Sequence, residues 1–125
     1  MAAFQPYDIP ADQVQMITPG LKVYFHERGT GALPKAGQRV TVHYHGVFQD
    51  GRVFDSSFKR GDPFSFVVGK GQVIRGWDDG LQQLPVGSKA ALLLEPDYAY
   101  GRAGASPTIP HNTPLVFYVE VISAA

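Results

Sequence analysis

The sequence predicts an α+β domain in which an antiparallel sheet of five to six strands curls across one short helix. Apolar residues recur with a period of two over most of the chain, and only Val73 to Leu84 carries helical spacing. At 125 residues the chain has the length of one domain, able to bury about two thirds of its unfolded surface. One helix and a few strands can bury their apolar faces only on each other, so the sheet has to curl.

The elements follow in order. Met1 to Pro19, with prolines at 6, 10 and 19 and no clear period, reads as an N-terminal extension lying along the body or partly ordered; the domain proper is assigned to residues 20–125. Gly20 to Arg28 sets Leu21, Val23 and Phe25 against Lys22, Tyr24 and His26; Val40 to Phe48 sets Val40, Val42 and Tyr44 against Thr41, His43 and His45. Both patterns are those of half-buried strands. Asp50-Gly51 is a tight-turn signal that folds Arg52-Val53-Phe54 back as a hairpin. Phe64 to Val68, Ser88 to Leu94 and Leu115 to Ile122 supply three more strands, the last with Leu115, Phe117, Val119 and Val121 on one face. In the helix Ile74, Trp77, Leu81 and Leu84 share a side, Asp78-Asp79 suits the dipole near its start, and Pro85-Val86-Gly87 ends it. The eighteen residues from Pro96 to Thr113 form a long loop, and loops of that length in small domains carry function.

Composition excludes several classes. Eleven basic and eleven acidic side chains cancel, so no overall field draws the chain to nucleic acid or to a membrane surface. The absence of cysteine removes disulfides, thiol chemistry and cysteine-zinc sites, and fits a reducing compartment. Met1 to Leu21 has no Lys or Arg and no sustained apolar run, which argues against a secretory signal. A soluble cytoplasmic protein is expected.

Ordinary catalytic motifs are missing. Neither Ser56 nor Ser57 sits in a nucleophile elbow, and Ser106 lacks the following glycine of G-x-S-x-G. Gly69-Lys70-Gly71 is too short for a phosphate loop and reads as a strand-to-helix turn. His43 and His45 share a strand face without a third ligand spaced nearby, so two partly exposed strand histidines are a better reading than a metal site. Asp55, Asp78, Asp79, Glu95 and Asp97 include no pair that spacing forces together, and each suits a cap, turn or surface position.

Aromatic side chains are plentiful instead. Tyr44, Phe54, Phe64, Phe66, Trp77, Tyr98, Tyr100 and Phe117 come from different strands, the helix and the long loop, and a curled sheet would gather several into one concavity. Core packing is the alternative for each ring alone, including Trp77, the only tryptophan; as a group they exceed what so small a core needs.

Val42-His43-Tyr44-His45-Gly46, Asp50-Gly51 with Val53-Phe54-Asp55-Ser56-Ser57, Val73-Ile74-Arg75-Gly76-Trp77, Asp97-Tyr98-Ala99-Tyr100-Gly101 and Leu115-Val116-Phe117 closely resemble, in order and spacing, the signature segments of FKBP-type peptidyl-prolyl cis/trans isomerases. The resemblance spans roughly Gly20 to Ile122. It implies a half-barrel of five to six antiparallel strands wrapped on one helix, with a proline-binding pocket between them. Carried over, Trp77 is the pocket floor, and Tyr44, Phe54, Phe64, Val73, Ile74 and Phe117 are its walls. Asp55 stands at the polar edge, steadied by Tyr44 or Arg60, while the Tyr100 hydroxyl and the Ile74 backbone N–H hold the peptide. Gln72, Phe58 and Lys59 fall at variable rim positions. The chain departs from the family at Thr108-Ile109-Pro110, where two aliphatic residues usually precede the proline, so Ile109 alone supplies the aliphatic lip.

The resemblance further implies no cofactor, metal or covalent intermediate. Its partners would be prolyl peptides and folding proteins, with rapamycin-type macrolides as pocket ligands, and the protein a monomer without nucleic-acid or membrane partners. Two functions stay open on the residues: an isomerase that speeds slow folding steps, or a binding or holdase-type chaperone module that grips prolyl segments with little turnover.

Overall fold

The computed structural model describes residues 11–48, 52–100, 109 and 112–125. Among these residues seven strands form one antiparallel sheet: β1 (Gln15–Thr18), β2 (Leu21–Glu27), β3 (Arg39–Phe48), β4 (Val53–Ser56), β5 (Phe64–Val67), β6 (Lys89–Leu94) and β7 (Leu115–Ala124). Their order is β1-β2-β6-β7-β3-β4, and β5 also pairs with β3. The helices are α1 (Ser57–Arg60) and α2 (Arg75–Gly80), the latter running on into a 3-10 turn, Leu81–Gln83. The α+β class and the curled antiparallel sheet are as the sequence predicts.

Alternation works where the strand has a wet face. On β3, Val40, Val42 and Tyr44 are buried and Thr41, His43 and His45 are only partly so. On β7, Leu115, Phe117, Val119 and Val121 are buried against α2 and its neighbours. A smaller cluster of Val47, Ala91 and Tyr118 lies apart from that main core, which is why Tyr118 is buried out of phase.

β3 is the strand that shapes the site. One edge runs along β7 from Val40 to Phe48, and the other is shared: β5 pairs with Arg39 to Val42, and β4 with His45 to Val47. The chain between β4 and β5 turns through α1, capped by the Ser56 side chain at its start and closed by Gly61 in the left-handed region (φ 76°).

Three features differ from the sequence reading. β1 lies in the segment assigned to the N-terminal extension; as an edge strand it leaves Gln15, Met16 and Thr18 exposed and shows no alternation. α1 is a single turn fixed by its caps, too short for any hydrophobic period. The α-helix proper covers half of the predicted Val73–Leu84 span, although Leu81 and Leu84 stay fully buried in the following turn. The Asp50-Gly51 turn, residues 1–10 and most of the 96–113 loop fall outside the described residues; the Phe48 N–H to Arg52 carbonyl bond of 2.9 Å brackets the hairpin as expected.

Glycines let α2 lie directly on the sheet. A Cβ at Gly76 would stand 2.5 Å from a Leu94 methyl and 2.9 Å from the Tyr98 carbonyl oxygen. Such overlap would lift the helix, and with it Trp77, off β6.

Candidate active site

Six stretches of chain converge on a cavity of about 410 Å³. Its lining includes Tyr44 from β3, Phe54 and Asp55 from β4, Phe64 from β5, Val73, Ile74 and Trp77 around the start of α2, Phe117 from β7, and Tyr100 beyond the Pro96–Tyr98 turn. Gly71 and Gln72 complete it.

Rings make the box. Tyr44 and Phe117 each meet Trp77 edge to face, at centroid distances of 4.9 and 5.3 Å. Phe64 stands 5.9 Å from Trp77 at 70°, and Phe54 stands 5.4 Å from Phe117 at 86°. Such crossed pairs each add about 0.5–1.5 kcal/mol beyond area burial and hold every ring against its neighbour. Trp77 is 4% exposed, and its indole N–H finds no acceptor among the described residues. Phe64 and Tyr100 are over a third exposed, and so form the open side.

The sheet tolerates this box because β3 carries a glycine behind it. A Cβ at Gly46 would stand 2.7 Å from Phe54 Cζ and 2.9 Å from Phe117 Cε1, so both walls rest on bare backbone.

One edge is polar. The Tyr44 hydroxyl donates to Asp55 Oδ2 at 2.5 Å, Arg60 Nη1 donates to Asp55 Oδ1 at 2.5 Å, and Arg60 Nη2 donates to the Tyr44 oxygen at 2.9 Å. The Ser56 backbone N–H also donates to Asp55 Oδ1, at 2.8 Å. The sequence offered Tyr44 or Arg60 as the partner of Asp55; both serve. Arg60 is not a wall and reaches the cavity through Asp55 and Tyr44 alone among the lining residues.

Burial, then the bond to Asp55, pushes the Tyr44 hydroxyl above its ordinary pKa; burial and the Asp55 charge do the same to Tyr100. A raised folded-state value means that the native protein holds these protons more tightly than the unfolded chain does. Any resulting stability is fully present below about pH 10 and is lost only as pH climbs through the folded values. Both hydroxyls therefore stay protonated, and any activity that depends on them is expected to be flat between about pH 7 and 9.5 in a pH–rate profile. An alkaline limb starting inside that window would assign the hydroxyls another role.

The turn leading into α2 is held by a carboxylate. Asp78 accepts from the N–H groups of Gly69 (2.9 Å) and Gly71 (2.8 Å), both glycines at positive φ, and Gln72 Oε1 accepts from the Val67 N–H at 3.0 Å. The Gly69-Lys70-Gly71 motif is thus the strand-to-helix turn read from the sequence, and Gln72 sits at the cavity with its side chain tied to β5. Ile74 caps α2, its carbonyl accepting from the Trp77 and Asp78 N–H groups.

Two expected placements change. Ile109, assigned to the lip, is 5% exposed and packs within the main core, because an aliphatic side chain there gains more from burial than from overhanging water. Phe58, assigned to the rim, stacks on His43 at 4.7 Å. His43 Nδ1 pairs with Ser57 Oγ (2.8 Å) and His45 Nδ1 with Ser56 Oγ (3.0 Å), so each strand histidine braces α1. Sequence reasoning missed Gly46 and the two serines, whose contacts depend on strand pairing and leave no local pattern.

Comparison with known proteins agrees with this geometry. Residues 31–122 match the family described as FKBP-type peptidyl-prolyl cis-trans isomerase. FK506-binding protein 1 of Dictyostelium discoideum is 47% identical over 104 residues, 83% of this chain and 97% of that protein. Peptidyl-prolyl cis-trans isomerase Fkbp12 of Drosophila melanogaster is 56% identical over 89 residues, 71% of this chain and 82% of that protein. A peptidyl-prolyl cis-trans isomerase of Schizosaccharomyces pombe is 48% identical over 90 residues, 72% of this chain and 80% of that protein. With most of its length matched and an aromatic pocket where the signature segments meet, the chain belongs to the FKBP-type peptidyl-prolyl cis-trans isomerases.

Proposed function

We propose that the pocket accelerates Xaa-Pro bond rotation by taking the imide out of water and favouring its twisted form. Rotating a peptide bond costs about 18–20 kcal/mol because resonance is lost, and uncatalysed Xaa-Pro isomerisation takes tens to hundreds of seconds. Twisting localises the nitrogen lone pair and shrinks the amide dipole, so an apolar enclosure disfavours the planar ground state relative to the transition state. The proline ring would lie on Trp77 between Tyr44, Phe54, Phe64 and Phe117, with Val73 and Ile74 along one side. The Ile74 N–H and the Tyr100 hydroxyl would hold the flanking peptide, and Asp55, fixed by Tyr44 and Arg60, would face the rotating carbonyl. Lowering the barrier by about 6 kcal/mol gives roughly a 10⁴-fold acceleration, within reach of desolvation, an immobilised ring and one or two hydrogen bonds.

The observation that carries this reading is the box of crossed rings with a single polar edge. No nucleophile is needed for rotation. Prolyl segments of folding proteins are the substrates on this reading, and rapamycin-type macrolides would compete for the same walls, in keeping with relatives named FK506-binding proteins. On this reading the protein acts as a monomer, and the cysteine-free composition suits the cytoplasm.

Refolding of a proline-limited protein and isomerisation of a prolyl peptide test the proposal together. The protein is expected to accelerate both, and Asp55→Leu to lower kcat/KM about tenfold or more. Binding of the peptide without acceleration would instead make the protein a holdase-type module.

A further inference from the structure

Tyr98 is buried to 7% exposure, does not line the cavity, and is tethered from three directions. Its hydroxyl lies 2.8 Å from Thr18 Oγ1, at the end of β1. The Arg75 guanidinium sits 4.4 Å over its ring, and Arg75 in turn pairs with Asp79 at 3.4 Å. The ring edge packs on Gly20, where a Cβ would approach Tyr98 Cδ2 to 3.0 Å, and the Tyr98 carbonyl abuts Gly76 in the first turn of α2. Tyr98 ends the Pro96–Tyr98 turn, and Tyr100, at the pocket, follows after a single residue.

We propose that Thr18 and Tyr98 are positioning residues for the substrate rim: their hydroxyl pair locks the Pro96–Tyr100 segment against α2 and so presets Tyr100 beside the pocket. This rests on the reading that the Tyr100 hydroxyl holds the bound peptide. A buried tyrosine needs a partner for its O–H, and Thr18 supplies it from a strand eighty positions away in sequence. The segment ahead of β2 thereby gains a task at the site: it anchors the rim from behind. Ring packing on Arg75 and Gly20 survives removal of the hydroxyl, so the bond can be deleted without emptying the core.

The test is steady-state isomerisation of a Leu-Pro tetrapeptide by the full chain, with sites counted by titration. Thr18→Val and Tyr98→Phe are each expected to raise KM about fivefold and to leave kcat within about twofold, as expected when a preset contact has to be ordered on binding. Thr18→Ser, which keeps the hydroxyl, restores the parental KM, and the Thr18→Val/Tyr98→Phe double variant is no worse than either single one. Unchanged KM in both single variants, or losses that follow only the active fraction, would overturn the proposal. Tyr100→Phe, measured alongside, separates the two levels: if it raises KM while Thr18→Val does not, the rim reading stands and the anchoring fails; if neither moves KM, both fail.

Discussion

Trp77→Ala is expected to cost about 3–5 kcal/mol of folding stability in chemical denaturation and to remove nearly all isomerase activity from the fraction that stays folded. The indole is 4% exposed and touches four rings, Tyr44, Phe64, Phe66 and Phe117, at centroid distances from 4.9 to 5.9 Å. Truncating it leaves a void beneath the pocket and frees the walls that lean on it. A small domain has only about 5–15 kcal/mol in hand, so the variant sits near the edge of folding at room temperature. Trp77→Leu refills part of the void and separates the two effects. It is expected to recover at least half of the lost stability while activity stays low, because an aliphatic floor supports the core but gives no flat surface for a proline ring.

Gly46→Ala is expected to lower kcat/KM about 100-fold although Gly46 does not line the pocket. The added methyl would overlap Phe54 and Phe117 at 2.7 and 2.9 Å, and both rings can retreat only into the space a substrate needs. Overpacking of this kind costs about 1–3 kcal/mol of stability, which a urea transition would report. The signature that separates it from Trp77→Ala is a stable protein with a blocked pocket. Wild-type kinetics in Gly46→Ala would mean that the walls need not stand where they do.

The fold was readable from period-two strings because β2, β3 and β7 each have one buried and one wetter face, and helical spacing marked the side of α2 and its following turn that buries Trp77 and Leu81. β1 was unreadable for the complementary reason. At the sheet's edge it buries no row of side chains, so nothing in Gln15-Met16-Ile17-Thr18 had to alternate. The rings around the pocket were legible as a surplus of aromatics, and the motif resemblance gathered them into one site. What escaped was whatever depends on separate elements meeting: the bare backbone of Gly46 under Phe54 and Phe117, the serine partners of His43 and His45, and the doubling of Tyr44 and Arg60 on Asp55. Ile109 escaped for a different reason, since an aliphatic residue in a loop serves a core and a lip equally well until the fold decides.

Exclusion of water by aromatic walls is the core of this account, and Phe54 is the wall where it can be changed with least damage, being only partly buried. The decisive measurement is the exchange rate of a prolyl peptide, followed by NMR, with Phe54→Leu and Phe54→Ser side by side at equal site occupancy. Leucine keeps the enclosure apolar and is expected to retain activity within a few-fold, whereas serine admits water and is expected to lose about tenfold more. Equal rates in the two variants would contradict catalysis by desolvation.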